Sequence, residues 1–139
     1  MHTDPPYYNS VPYSDLSDFF YVWLKRSIGY LYPELFSTIL TPKSGEIVEM
    51  ASWDKERYSH KTKEWFEKNM KLALDEFYRI LKPNGILVLV YAHKTTEGWE
   101  TMINALTKSG FVITASWPIS TEMKVRLRSI DSAALASSI

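Results

Sequence analysis

The sequence predicts an α/β fold built on a doubly wound sheet, and three observations carry that expectation. Ile86–Val90 (ILVLV) is a continuous apolar run bounded by turn residues, as expected of a strand covered on both faces. The stretches Thr62–Leu81 before it and Glu97–Ser109 after it repeat apolar residues at helical spacing. Phe111–Trp117 then has the character of a second strand, so the order is helix, buried strand, helix, strand. That alternation belongs to a mostly parallel sheet with helices on its faces. Ligands of such sheets bind beyond the carboxyl ends of the strands. His93 and Lys94 leave the first strand at that end, and Trp117 and Pro118 leave the second, so both groups are expected on one edge.

Taken in order, residues 1–13 form a loop, because Pro5, Pro6 and Pro12 oppose a helix there. Ser14 then offers an N-cap, with Asp15 and Asp18 in the first turn. Leu16, Phe19, Phe20, Trp23 and Leu24 make an amphipathic stripe expected to face a core, and the helix ends near Gly29 after Lys25 and Arg26. Pro33 starts a short helix that runs through Leu40 and stops at Pro42, and Glu46–Met50 follows as a short strand. Residues 51–61 are polar, aromatic and aperiodic, hence a surface loop.

The second long helix buries Phe66, Met70, Ala73, Leu74, Phe77 and Leu81, and Lys82-Pro83-Asn84-Gly85 turns the chain into the ILVLV strand. The third turns Trp99, Met102, Ile103 and Leu106 inward and stops at Gly110. Residues 120–132 are polar, with Lys124, Arg126 and Arg128 clustered beside Glu122, and 134–139 (ALASSI) open another strand. Tyr7, Tyr8, Tyr13 and Trp117 lie in segments too irregular for routine core duty.

Composition narrows the classes. A chain of 139 residues is one domain's worth, 1–139, and 45% hydrophobic with 23% charged residues is ordinary globular usage. Lys plus Arg and Asp plus Glu number 16 each, so this chain by itself is a poor holder of a phosphate backbone. Cysteine is absent, which removes disulfides, thiolate nucleophiles and Cys-based zinc sites together. His2, His60 and His93 share no metal-ligand spacing, so no metal is expected. No run is long and apolar enough for a membrane span and no signal-peptide pattern opens the chain, which fits a cytoplasmic protein away from membranes.

The informative tetrapeptide is Asp4-Pro5-Pro6-Tyr7. An exocyclic amine on a nucleic-acid base is a weak nucleophile, because its lone pair is delocalised into the ring. Acceptors on its two N–H bonds favour a pyramidal nitrogen and aim the lone pair at a methyl donor. A carboxylate serves one N–H, and a neighbouring backbone carbonyl serves the other. Consecutive prolines remove competing N–H donors and fix φ, which holds that carbonyl in one direction. The aromatic ring next in line gives a flipped base a face to stack on.

This matches the Asp/Asn/Ser-Pro-Pro-Tyr/Phe/Trp motif of the amino-methyltransferases. Together with the blocks TDPPYYNSVPYSDLSDFFYVWLKR, EFYRILKPNGILVLVYAHK and TEMKVRLRSIDSAALASSI, the chain resembles the large prokaryotic adenine-specific DNA methylases, some of which contain a zinc ribbon. The resemblance runs from Thr3 to Ile139. It implies half of a Rossmann-like S-adenosylmethionine-dependent methyltransferase fold, the C-terminal, catalytic-motif half. Asp4 and the Pro5 carbonyl would bind the target amine, Pro6 would stiffen the loop, and Tyr7 would stack on the base. Ile86–Val90 would be the sheet strand after the catalytic loop, and the methyl donor would be S-adenosylmethionine.

The family's Gly-rich cofactor loop, aromatic-x-Gly-x-Gly, has no counterpart, since the five glycines at 29, 45, 85, 98 and 110 are too far apart. No residue here is therefore assigned to the cofactor. Only Met1, His2 and Thr3 precede the motif, so a partner chain or a preceding region is expected to complete the sheet and to grip most of the DNA. Around the motif, Tyr8, His93 and Trp117 are further candidates for substrate binding. His93 is equally a solvent-facing loop histidine, and Trp117 a core residue at a strand end. Lys124, Arg126 and Arg128 either touch phosphates or form a solvated loop. The alternatives to adenine methylation are N2-guanine methylation of RNA and a catalytically silent remnant that binds a partner.

Overall fold

The computed structural model describes residues 1–93 and 95–119. They divide into two compact units, one formed by Met1–Ser10 with the chain from Ile47 onward, the other by Val11–Glu46. The first unit holds two short strands, β1 (His2–Thr3) and β2 (Val88–Leu89), the second unit holds α1 (Tyr13–Ile28), and the first again holds α2 (Lys63–Ile80) and α3 (Thr96–Lys108).

In the first unit β1 and β2 run parallel, with His2 opposite Val88 and Thr3 opposite Leu89. The Val88 N–H donates to the Met1 carbonyl and the Val90 N–H to the Thr3 carbonyl, both at 2.9 Å. The expected pairing of Ile86–Val90 with Phe111–Trp117 is thus corrected. Among the described residues β2 pairs with β1 alone, and 111–117 adopt no strand. Phe111 is anchored against Tyr78, ring centroids 5.3 Å apart. The residues after it keep strand-like composition but have no ladder partner among the described residues, and Val112 is 83% exposed. An apolar hollow of about 970 Å³ separates them from β2, lined by Leu81, Ile86, Val88, Trp99, Val112 and Trp117 among others. Ile86 and Val88 are consequently exposed, so the strand expected to be covered on both faces is covered on one.

α2 packs on α3. Each starts at a threonine whose side chain accepts from a backbone N–H of the first turn, Thr62 from Trp65 and Thr95 from Gly98, both at 3.3 Å. Phe66, Met70 and Leu74 of α2 meet Met102 and Ala105 of α3, with Tyr8 and Tyr91 closing the same core. Ile103 is exposed, not inward, whereas Thr101 is buried. Residues 46–50 form no strand, yet Val48, Glu49 and Met50 are buried. Val48 and Met50 form a second cluster with Tyr58. The 51–61 segment is therefore less of a surface loop than its composition implies: Tyr58 and Lys61 are buried, with the Lys61 ammonium over the Tyr58 and Trp65 rings at 5.3 and 5.5 Å.

In the second unit α1 begins at Tyr13, and Ser14 does not cap it. The Ser14 N–H and hydroxyl instead donate to the Glu46 carboxylate, which places negative charge at the helix N-terminus. The expected helix from Pro33 to Leu40 is only turns, with the Leu35 and Phe36 N–H groups both donating to the Tyr32 carbonyl. Asp18 accepts from Lys43 and from both the N–H and hydroxyl of Thr41, and these bonds hold its carboxyl down at about 2. The residue that α1 buries is Tyr21, against Phe36. Its expected core stripe is exposed: Leu16, Phe19, Phe20, Trp23 and Leu24 all face outward. Periodicity identified the apolar face, but no residue of the second unit covers it.

Lys94, the basic cluster Lys124–Arg126–Arg128 and the 134–139 strand lie outside the described residues. Among the described residues no helix is long and apolar enough to cross a membrane.

Candidate active site around the 4–9 loop

β1 ends at Thr3, so Asp4-Pro5-Pro6-Tyr7 leaves the sheet at its carboxyl edge. β2 ends at Leu89, so Tyr91, Ala92 and His93 leave at the same edge. Parallel pairing thus brings the tetrapeptide and His93 together, whereas the expected edge had joined His93 to Trp117.

Asp4 is exposed. Among the described residues neither its carboxylate nor the Pro5 carbonyl accepts a hydrogen bond. Prolines at 5 and 6 carry no N–H, so the backbone here presents acceptors without donors. Tyr7 is half-buried and braced by Tyr91, ring centroids 5.5 Å apart at an interplanar angle of 73°. The chain then turns, with the Ser10 N–H donating to the Tyr7 carbonyl at 2.7 Å.

Tyr8 carries the turn at φ 33°, a left-handed conformation that ordinarily favours glycine or asparagine. Its surroundings hold it there. The ring packs edge-on against Phe66 and His93, centroids 5.2 and 5.4 Å away, and its carbonyl accepts from the Glu49 N–H at 2.9 Å. Only 8% exposed, Tyr8 belongs to the core and offers no open face to a base, unlike the binding role expected of it.

Burial, aided by the negative charges of Glu49 and Glu97, pushes the Tyr8 hydroxyl up to about 12. Burial likewise raises Tyr91. A free tyrosine ionises near ~10, so the folded state holds this proton more tightly than the unfolded chain does. Stability is then full below pH ~10 and is lost as pH climbs through about 12. Alkaline unfolding followed by circular dichroism should start above pH ~10, and Tyr8→Phe should move its onset upward. An unchanged onset would show that Tyr8 ionisation is not coupled to folding.

His93 is buried, 5% exposed, and is therefore neither a solvent-facing loop residue nor an open base contact. Its Nε2 lies 3.2 Å from Asn9 Oδ1, and its Nδ1 lies 3.1 Å from the Thr95 N–H. Trp117 is 68% exposed and lines the hollow beside β2, a surface to which none of residues 4–8 contributes. The edge thus gathers Asp4, Pro5, Pro6, Tyr7, Tyr8 and His93 and leaves Trp117 out. Asn9, Thr95 and Gly98 join the arrangement without having been foreseen. Thr95 ahead of an apolar helix and a glycine in its first turn were the available signals, since such a glycine marks a close approach.

Among the described residues no group of three or more His, Cys, Asp or Glu side chains could hold a metal ion. The glycines do not form a cofactor cradle either. A Cβ on Gly98 would meet the His93 ring and one on Gly85 the Leu81 side chain, so this space is filled by the protein itself.

No family model matches the chain, and no curated protein or solved structure is significantly similar to it.

Proposed function

We propose that this chain supplies the amine-binding loop of an adenine-N6 DNA methyltransferase acting in the cytoplasm. One observation carries the reading: Asp4 and Pro5 present two adjacent acceptors, unengaged among the described residues, at the carboxyl edge of a parallel strand pair. The resemblance of the Asp-Pro-Pro-Tyr blocks to the adenine-specific DNA methylases supports it. The Asp4 carboxylate takes one N–H of the flipped adenine and the Pro5 carbonyl takes the other. The lone pair is thereby drawn out of the ring's conjugation and given a direction. Tyr7, held at a fixed tilt by Tyr91, provides the stacking face.

S-adenosylmethionine is the methyl donor of the family resembled, and the residues present do not fit it. The chain lacks a Gly-rich loop, and Gly85 and Gly98 are packed against side chains. Donor binding and most of the hold on DNA therefore belong to a partner chain or to further sequence that completes the sheet. Calorimetric titration of this chain alone with S-adenosylmethionine should show weak binding or none. A micromolar dissociation constant, about −8 kcal/mol, would reveal a donor site within it.

The stacking role has its own test. In the assembly that carries the donor site, Tyr7→Ala should weaken capture of an extruded base by about 1–3 kcal/mol, while Tyr7→Phe should bind like wild type. Equal affinity of all three for a duplex with a mispaired target adenine would remove Tyr7 from base contact.

A further inference from the structure

We infer that His93 is a positioning residue that pins the 4–9 loop through one defined tautomer, and so holds Asp4 and Pro5 in place. Its importance for methyl transfer rests on the function proposed above; the pin itself does not.

The tautomer follows from the partners. A backbone N–H can only donate, and that of Thr95 sits 3.1 Å from His93 Nδ1, with the Thr95 hydroxyl at 3.0 Å. The Thr95 carbonyl, which could only accept, lies farther off at 3.4 Å, so the shorter N–H contact favours a lone pair on Nδ1 and the proton on Nε2. Nε2 then donates to Asn9 Oδ1 at 3.2 Å. Thr95 is also the N-cap of α3, so helix start and imidazole are tied through one residue.

The ring cannot swing away. A Cβ on Gly98 would collide with Nδ1, which shows the first turn of α3 pressed against it. Tyr91 lies parallel to the ring at 6.5 Å, Tyr8 stands edge-on at 5.4 Å, and the Trp99 indole N–H donates to the His93 carbonyl at 2.9 Å. Asn9 in turn directly follows Tyr8, whose positive φ persists only where the surroundings over-determine it. The loop is thus tied at one end by the Thr3 carbonyl in the sheet and at the other by Asn9. The four residues Asp4–Tyr7 between Thr3 and Tyr8 include two prolines. With both ends fixed and the middle stiff, the directions of the Asp4 side chain and Pro5 carbonyl are set before any base arrives. Pre-organisation of this kind bears on the chemical step more than on DNA affinity.

The test starts with the protein alone. Imidazole ¹⁵N spectra of the wild type should show His93 protonated at Nε2 and bare at Nδ1. His93→Phe keeps a planar ring but has no donor, and should shift or broaden the backbone amide signals of Tyr7–Ser10. His93→Gln keeps an N–H donor and should restore them, and Asn9→Ala should reproduce the Phe variant without touching the core. An Nδ1–H tautomer, or unchanged Tyr7–Ser10 signals in His93→Phe and Asn9→Ala, would overturn the pin. In the methylating assembly His93→Phe should lower the single-turnover rate by up to about 10²-fold at unchanged DNA affinity, with His93→Gln recovering much of it. A wild-type assembly that transfers no methyl group defeats the proposed function and leaves the spectra to decide the pin. A methylating assembly in which His93→Phe matches wild type defeats the pin's role and spares the function.

Discussion

Asp4→Ala, placed in the assembly that binds the methyl donor, should lower single-turnover methylation by about 10²–10³-fold, the range seen when one transition-state hydrogen-bond partner is deleted. The carboxylate is exposed at the sheet edge and takes no hydrogen bond among the described residues. Its removal therefore leaves no orphaned donor and no cavity, and the melting temperature should not move. DNA affinity should hold as well, because the Tyr7 ring and its Tyr91 brace remain. Asp4→Asn retains a carbonyl acceptor and should fall between the two. A fall in affinity with an unchanged single-turnover rate would place Asp4 in DNA binding, not in orientation of the amine.

Leu74→Ala should destabilise the first unit by about 2–5 kcal/mol in urea unfolding. Leu74 is fully buried at the centre of the α2–α3 core, beside Met70 and Met102, so truncation leaves a void that a helix pair closes poorly. Phe20→Ser offers the contrast. By sequence it sits in the middle of the apolar stripe of α1, yet Phe20 is 65% exposed. Its replacement should change stability by only about ±0.5 kcal/mol, as for an ordinary surface site. A large loss at Phe20 would mean that the stripe of α1 is covered in solution.

These two residues show what was legible. Both obey the same helical period, and the period correctly located α1, α2 and α3 to within a residue or two of Tyr13–Ile28, Lys63–Ile80 and Thr96–Lys108. Periodicity says which face is apolar but not what lies against it, so Leu74 and Phe20 looked alike. The ILVLV run was legible as the place of a strand from its turn-bounded apolar composition, but only Val88–Leu89 of the expected Ile86–Val90 form one. Its partner was not, because pairing is a non-local choice: His2–Thr3, too short a stretch to show a strand pattern, hold the place expected for 111–117. Val48, Glu49 and Met50 are buried without a ladder, which alternation patterns cannot register.

At the site, the place of Asp4, Pro5, Pro6 and Tyr7 in a loop was legible because two consecutive prolines exclude regular structure. Tyr8 was misjudged. An aromatic in a proline-rich loop suggested exposure, and nothing local announced that a positive φ would turn its ring into the core. For His93 a position at the strand end was legible, but its partners were not. Asn9 lies 84 residues away along the chain, and only the parallel strand pair brings the two together.

The most direct measurement is nucleoside mass spectrometry of DNA and RNA from cells that lack their own adenine methylation. The cells express this chain together with the donor-binding chain or segment that the proposal requires, with wild-type and Asp4→Ala forms compared. N6-methyladenine in DNA with wild type, and its loss with Asp4→Ala, is the predicted result. N2-methylguanine in RNA, or N6-methyladenine at the same level with Asp4→Ala, would contradict it.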